Sequence, residues 1–383
     1  MELGFHCTDV VIVGGGPAGL AAAIALRQAG VDVLVVDAQE PPIDKSCGEG
    51  LMPDSRNVLS RLGIELTSLH GAPFGGIRFL DARSSATAEF TRGEGIGVRR
   101  LVLHRLLLDR AAALGVRMRW KTMVELRPGH TPMLDGKTLH FKYLIGADGE
   151  ASRTRAWAGL NAGVLRSRRF GFRAHFEILN DRDISAQSNA NYVEVHWGDE
   201  GQAYVTPIGE RKVCVAVVSR SQSPRVFAKV IDSLPVLRRL LSRANQLTPQ
   251  RGAVTTTSSF RRVTRGNIAL IGDASGSTDA ITGEGLAMSF GQALLLHDSI
   301  VEGSLERYQA QHSDILRPAQ QMARVLLMMD SHTTLRRRVL KAFMARPDLF
   351  AAMVRVHLQE ETLPTMVLQH GIAFGRQLLS PAG

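Results

Sequence analysis

Residues Thr8 to Val13 (TDVVIV) are apolar and mostly β-branched, with glycines immediately after them, which predicts a buried parallel strand. Small and apolar residues from Leu20 to Ala29 predict a helix, and a second apolar run, Val31 to Val36, predicts a strand ending at Asp37. Short strands recur at Tyr143 to Gly146 and Asn267 to Ile271, with a helix expected from Leu286 to about Ile300. The pattern changes mid-chain. Phe170, Phe172, Phe176 and Ile178 point one way, with Arg173 and His175 on the other face. Tyr192, Glu194 and His196 alternate with Val193, Val195 and Trp197, and Val213, Val215 and Val217 keep the period of two. With Gly75 to Phe90 these predict an antiparallel sheet, one face of which lines a cavity. The aromatic row reads first as core, because apolar strand faces are usually buried for packing. From Leu305 onward the pattern is helical, with breaks expected near Pro318, Pro347 and Pro364.

The first two strands enclose Gly14-Gly15-Gly16-Pro17-Ala18-Gly19, a GxGxxG segment, and Asp37 follows Gly16 by 21 residues. Each position has a task in holding a dinucleotide. Gly14 makes the tight turn, and Gly16 lets backbone approach a pyrophosphate. Gly19 lets the helix pack closely on the sheet, and Pro17 and Ala18 belong to the cofactor-binding turn ahead of the helix, whose N-terminus faces the phosphates. Asp37 is placed to accept hydrogen bonds from the adenosine ribose. The expected fold class is α/β. A Rossmann-like nucleotide-binding domain takes residues 1–70, 96–165 and 258–300; an interleaved antiparallel-sheet substrate domain takes 71–95 and 166–257; a helical C-terminal region takes 301–383.

Composition narrows the class. The 383 residues are 44% hydrophobic and 21% charged, which argues against disordered, collagen-like and coiled-coil chains. Three separated cysteines (Cys7, Cys47, Cys214), with no CxxC pair, argue against a disulfide framework and a structural zinc, and no metal site is expected. The net charge of +10 attracts anions. Yet the basic runs Arg99-Arg100, Arg168-Arg169 and Arg336 to Arg338 are short and lack interleaved aromatics, so no nucleic-acid partner is expected. The longest uncharged apolar stretch, Val10 to Leu26, holds four glycines and a proline, and no basic stretch precedes an apolar region at the N-terminus. A cytoplasmic protein without signal peptide or membrane span is expected.

Two later segments carry more. Ala147-Asp148-Gly149 follows the third strand, with Ser152 and Arg155 beyond it; Gly272-Asp273-Ala274 follows the fourth, and Thr282-Gly283-Glu284-Gly285 precedes the helix. GxGxxG, then DG, then GD, in this order, resembles the p-hydroxybenzoate hydroxylase superfamily of FAD enzymes, from about residue 8 to about residue 350. The resemblance implies that Asp273 binds the ribityl chain and that Gly283 and Gly285 bring backbone N–H groups close to the flavin ring. The helix from Leu286 then aims its positive end at flavin N1 and O2. Asp148 and Gly149 lie near the pyrophosphate, with Arg155 anchoring their loop by an ion pair. Arg100, opening an Arg-x-x-Leu segment, faces the cofactor or is a plain surface arginine. Gly272 and Val124 complete the expected cofactor-binding set.

Within the superfamily, Gly272 to Leu286 (GDASGSTDAITGEGL) and Lys45 to Pro53 (KSCGEGLMP) resemble the geranylgeranyl reductase branch. Gly276 and Ala280 stand where aromatic hydroxylases carry a histidine and a proline. In the reductase branch the cysteine matching Cys47 sits beside the flavin, where a thiol can tune the ring or donate a proton to a substrate carbon. The alternative is a small buried apolar residue. Gly48 and Gly50 suggest close backbone approach to something flat, and Glu49 is either a general acid or a loop anchor. Tyr204 to Gly209 (YVTPIG) resembles a strand end carrying a flavin-facing proline, so Pro207, Tyr204 and Phe172 are substrate-pocket candidates. His175 and His196 read as structural histidines. Trp197 is followed by Gly198-Asp199, which argues against a halogenase.

The expected activity is that of an FAD-dependent oxidoreductase. Oxygenation of a hydrophobic (aromatic, polyketide or isoprenoid) small molecule through a flavin C4a adduct, with NAD(P)H as transient donor, is placed first by analogy with the wider superfamily. Reduction of carbon–carbon double bonds, of the geranylgeranyl reductase type, is the alternative; a non-catalytic FAD-binding redox sensor is a third reading. Six of the twelve methionines follow residue 320, which suits an irregular core or a cavity for a long lipophilic substrate. An apolar helix face there would dock an acyl carrier or a membrane surface.

Overall fold

The computed structural model describes residues 6–179, 191–223 and 225–379. Three sheets organise it, with elements numbered in chain order. In the first, β17 (Thr264–Arg265), β18 (Ile268–Leu270), β10 (Lys137–Gly146), β1 (His6–Val13), β2 (Val33–Val36) and β8 (Arg117–Arg119) lie side by side, with β9 (Met133–Leu134) beside β10. The pairs around β1 are parallel, Val10 opposite Val33 and Tyr143. β1 is apolar at consecutive positions because both faces are covered. Val10 and Ile12 pack with α1 (Pro17–Gln28), α3 (Arg100–Ala113) and α7 (Gly285–Val301), whereas Val11 meets Leu34, Val36 and Val124 on the far side. The first helix starts at Pro17, three residues before its expected start, since proline's fixed φ and missing N–H suit the first helical position.

The second sheet runs β19 (Gly276–Ser277), β16 (Arg251–Phe260), β11 (Gly163–Ile178), β14 (Lys212–Ser219), β13 (Gln202–Gly209), β12 (Tyr192–Trp197), β5 (Gly76–Leu80), β6 (Ser85–Glu89), with β15 (Ala244–Gln246) beside β11. Its pairs are antiparallel except β12 with β5. One face, through Ala174, Phe176, Val205, Val215 and Val217, packs under α5 (Val226–Ser233) and α6 (Pro235–Leu241). The other face looks toward the nucleotide-binding unit. Strands β11, β16 and β19 reach past residues 166 and 257, so the antiparallel sheet takes in short segments assigned above to the nucleotide-binding unit. A small third sheet, β3 (Gly50–Leu51), β7 (Gly95–Gly97) and β4 (Ala72–Phe74), bridges the two, with α2 (Pro53–Arg61) next in chain after β3. α4 (Arg153–Trp157) follows the DG segment.

The C-terminal helices α8 (Glu306–Ser331), α9 (Thr333–Ala345), α10 (Pro347–His357) and α11 (Leu363–Leu379) close one end. Phe79 and Trp197 from the sheet pack with Met322, Leu326, Phe343, Phe350 and Met353 from these helices. Pro347 opens α10 and Pro364 falls in the first turn of α11, as the breaks required. Pro318 departs from expectation: α8 runs straight through it, because Leu316, Ala319 and Met322 around it are buried and their packing outweighs one lost backbone hydrogen bond. Among the described residues, no helix is long and apolar enough to cross a membrane.

Candidate active site

A cavity of about 560 Å³ lies between the parallel sheet's glycine loops, the inner face of the antiparallel sheet and the C-terminal helices. It gathers residues from every part of the chain. Gly14, Gly16, Pro17, Ala18, Asp37, Cys47, Gly48, Glu49, Gly50, Arg100 and Val124 line it from the first third. Asp148, Gly149, Gly272, Asp273, Gly283, Gly285 and Leu286 line it from the later segments. Gly19 does not, and its place explains it: a Cβ there would stand 1.9 Å from the Gly14 carbonyl oxygen, so this glycine serves helix packing.

The glycine loop is held from beneath. Asp37 accepts hydrogen bonds from Gly15 N–H at 2.6 Å and Gln39 N–H at 2.7 Å. His104, wholly buried on α3, approaches the Gly15 carbonyl at 2.8 Å through Nε2 and accepts Ile43 N–H through Nδ1. Burial lowers its pKa, so the ring is neutral with the proton on Nε2, donating to Gly15. Sequence reasoning missed His104, since a lone histidine in an apolar helix signals nothing until the loop lies against it.

The two later segments are joined to each other. The Asp148 carboxylate is engaged inside its own loop by Ser152 Oγ at 2.5 Å, Thr154 N–H at 2.9 Å and Thr154 Oγ1 at 3.0 Å. Arg155 donates to the Ala274 carbonyl at 3.0 Å and the Glu150 carbonyl at 2.6 Å and lies over Phe260. It therefore ties the DG segment to the GD segment through carbonyl oxygens, where an ion pair was expected. Asp273 pairs with Lys45 Nζ at 2.6 Å, and Gly272 N–H donates to Gln292 at 2.6 Å.

The KSCGEG loop has two faces. Cys47 is partly exposed and lines the cavity, its Sγ accepting Glu49 N–H at 3.3 Å. Glu49 adopts a positive φ of 61° and buries its carboxylate, with Oε1 accepting Arg100 N–H at 3.0 Å and Oε2 lying 2.7 Å from His175 Nε2. That is a loop anchor's position. Glu49, His175 and Cys214 bring potential ligand atoms within 4.8 Å of one another, but Arg173 already sets a cation 3.8 Å from the Glu49 carboxylate, and burial pushes the Cys214 thiol up. His196 is likewise satisfied, 3.0 Å from Glu194.

The substrate-side candidates divide by strand parity. Tyr204 lines the cavity and donates to the Ile281 carbonyl at 2.7 Å. Pro207 lies outside the lining: alternation turns Tyr204 and Thr206 inward and Val205 and Pro207 outward, and the Pro207 carbonyl instead packs against Gly97. Phe172 touches the cavity, yet it packs with the cluster under α5 and α6. The positions that form the apolar end are Ile77, Phe79, Val193, Val195, Met322 and Met353, from the sheet expected to line a cavity and from the methionine-rich helices.

The chain fits a dinucleotide. A Cβ at Gly16, Gly48, Gly149, Gly283 or Gly285 would meet no atom within 4 Å, and all five border the cavity. Gly149 and Gly283 hold φ of +79° and +73°, a conformation natural only to glycine. Arg100 Nε is buried without a hydrogen-bond partner. At the start of α7 the first backbone N–H groups have no acceptor within the helix, and they border the same space.

Comparison with known proteins agrees with this geometry. The family described as FAD binding domain matches residues 7–303. Digeranylgeranylglycerophospholipid reductase 1 of Methanopyrus kandleri is 30% identical over 304 residues, covering 73% of this chain and 76% of that protein. Rifampicin monooxygenase of Rhodococcus hoagii is 34% identical over 158 residues, but the match covers 39% of this chain and 33% of that protein, so the chain spans about a third of that relative. In fold, a flavoprotein/dehydrogenase from Cytophaga hutchinsonii superposes with a TM-score of 0.77 at 18% identity, over 92% of each chain.

Proposed function

Because the chain belongs to the FAD binding domain family and is an FAD-dependent oxidoreductase, we propose that it reduces a carbon–carbon double bond in a long apolar substrate. The observation that carries this reading is the continuity of the cavity, from the nucleotide loops at Gly16 and Gly149 to an apolar end walled by Phe79, Val195, Met322 and Met353. The reductase relative, matched over 73% of the chain, supports the reaction type, and the KSCGEG loop places the Cys47 thiol on the same cavity.

Bound FAD supplies the hydride chemistry, with NAD(P)H as the transient donor. The chain's residues divide the rest. Gly16 and Gly149 would receive the pyrophosphate, Asp37 the adenosine ribose, and Asp273 the ribityl chain after parting from Lys45. Gly283, Gly285 and the N-terminus of α7 would hold the ring, where the helix's positive end favours negative charge. The apolar wall excludes water from the reacting carbons. Oxygenation is the second reading, favoured by the 34% identity with rifampicin monooxygenase over 158 residues.

Anaerobic mixing of the reduced, FAD-loaded protein with vesicles of digeranylgeranylglycerophospholipid separates the two. Flavin reoxidation with a saturated product supports the reductase. Product that carries new oxygen, and forms only when air is admitted, replaces it with the monooxygenase.

A further inference from the structure

Beside the main cavity, and sharing Met52, Gly283, Leu286 and His357 with it, lies a second, much smaller one of about 10 Å³, also bordered by Asp54 and Glu284. By volume it suits a single water. Glu284 is the residue just before α7, in the TGEG segment, and His357 ends α10, so elements far apart in the chain meet here. His357 borders both cavities. Its Nδ1 lies 3.6 Å from Glu284 Oε2, with both side chains over nine-tenths buried, and Glu284 Oε2 has no hydrogen-bond partner. A buried carboxylate oxygen left without a donor is costly, and it implies a proton or a ligand at that atom.

We propose that Glu284 and His357 form a proton-transfer pair serving the apolar end of the cavity, His357 exchanging a proton with bound substrate and Glu284 resupplying it. This rests on the flavin-reductase reading, which leaves one substrate carbon negative when hydride reaches its neighbour. The protons balance as follows. The negative carbon takes the proton from His357 Nε2 as Glu284 passes its own to Nδ1; the imidazole stays neutral and the negative charge ends on Glu284. A proton from solvent then reaches His357 Nε2 through the cavity as Nδ1 returns its own to Glu284, which restores both groups.

The electrostatics fit. Burial, and secondly the charge of Asp54 from α2, raise Glu284 to about 8, so it is an uncharged acid at neutral pH. Burial lowers His357 to about 4, so it is an uncharged base. Asp54 is itself raised by burial. Arg355, on His357's own helix, is taken up by Glu361 at 3.0 Å. A separation of 3.6 Å is longer than a hydrogen bond, but such contacts tighten when a site fills.

Infrared spectra of the FAD-loaded protein test the pair without turnover. At pH 7 a protonated-carboxyl stretch is expected that is missing in Glu284→Gln and shifted in His357→Gln, both variants retaining flavin absorbance. Absence of the band, or a band indifferent to His357→Gln, overturns the proposal. In single-turnover oxidation of the reduced protein by the same phospholipid vesicles, each variant is expected to be slower by about 10²-fold or more. Reoxidation by ferricyanide, which needs no proton in the cavity, stays unchanged. If the wild-type protein leaves the phospholipid untouched, the reductase reading falls, and the infrared result still decides the state of Glu284 and its coupling to His357.

Discussion

Arg169 Nη1 stands 3.2 Å from Asp279 Oδ1, and the two side chains are 3% and 0% exposed. Asp279 also accepts from Ser167 Oγ at 3.2 Å and from Ile281 N–H at 3.1 Å, while Arg169 reaches Gln202 at 2.5 Å and the Val218 carbonyl. The pair thereby fixes the turn leading to Gly283 against the middle of the antiparallel sheet. Arg169→Ala leaves Asp279 buried without its cation, and Asp279→Ala leaves Arg169 only the Asp330 carboxylate at 3.6 Å. Arg169→Ala or Asp279→Ala should each cost about 3–5 kcal/mol in urea unfolding. The double variant Arg169→Leu/Asp279→Leu should cost less than the sum. Additive losses would mean that the pair is not coupled.

Gly16 and Gly19 separate cofactor binding from folding. Gly16 has an ordinary φ of −72° and open space before it, whereas a Cβ at Gly19 collides with Gly14. Gly16→Val should change cofactor-free stability by no more than about 0.5 kcal/mol while weakening FAD binding more than about tenfold. Gly19→Val should lower the melting temperature itself. Calorimetry with and without FAD reads both, and a Gly16→Val protein that binds FAD normally would refute the assignment.

Stability should fall as pH rises toward 8. Glu284, lifted from 4.5 to about 8, keeps in the folded chain a proton that the unfolded chain has released, so folding loses ground as pH climbs through that window. His312 and His357, lowered from 6.5 to about 4, act in the opposite sense, and their contribution is complete only about one unit above 6.5. Of these three, Glu284 alone still changes between about pH 7.5 and 8. Glu284→Gln is expected to flatten the wild-type decline there in thermal melts; an unchanged slope would show that other groups cause it.

α11 carries an outward apolar face. Val367, Leu368 and Ile372 are 58%, 85% and 76% exposed. If the proposed substrate resides in anionic lipid, this face and the chain's positive charge are expected to meet it there. Leu368→Asp with Ile372→Asp should abolish co-sedimentation with phosphatidylglycerol vesicles without altering the melting temperature. Vesicle binding that survives both substitutions would remove α11 from the interaction.

What the sequence determined by itself was local. Thr8 to Asp37 specify strand, glycine turn, helix and acid through side-chain size and period, because each task there belongs to a residue and its near neighbours. The DG and GD segments were readable as motifs for the same reason. Tertiary structure decided what depends on partners distant in the chain. Arg155 was legible as an anchor, but its carbonyl partners were not, since Ala274 lies 119 positions away. Pro207 was drawn into the pocket by its motif and turned out of it by strand parity. Arg169 and Arg336, read as parts of short basic runs, are 2% and 3% exposed, because Asp279 and Asp199 come from other elements to meet them. Glu284 carried no role of its own in the Thr282-Gly283-Glu284-Gly285 segment. Burial beside Asp54 and His357 is what gives it an acid's chemistry, and desolvation belongs to the assembled fold, not to a segment.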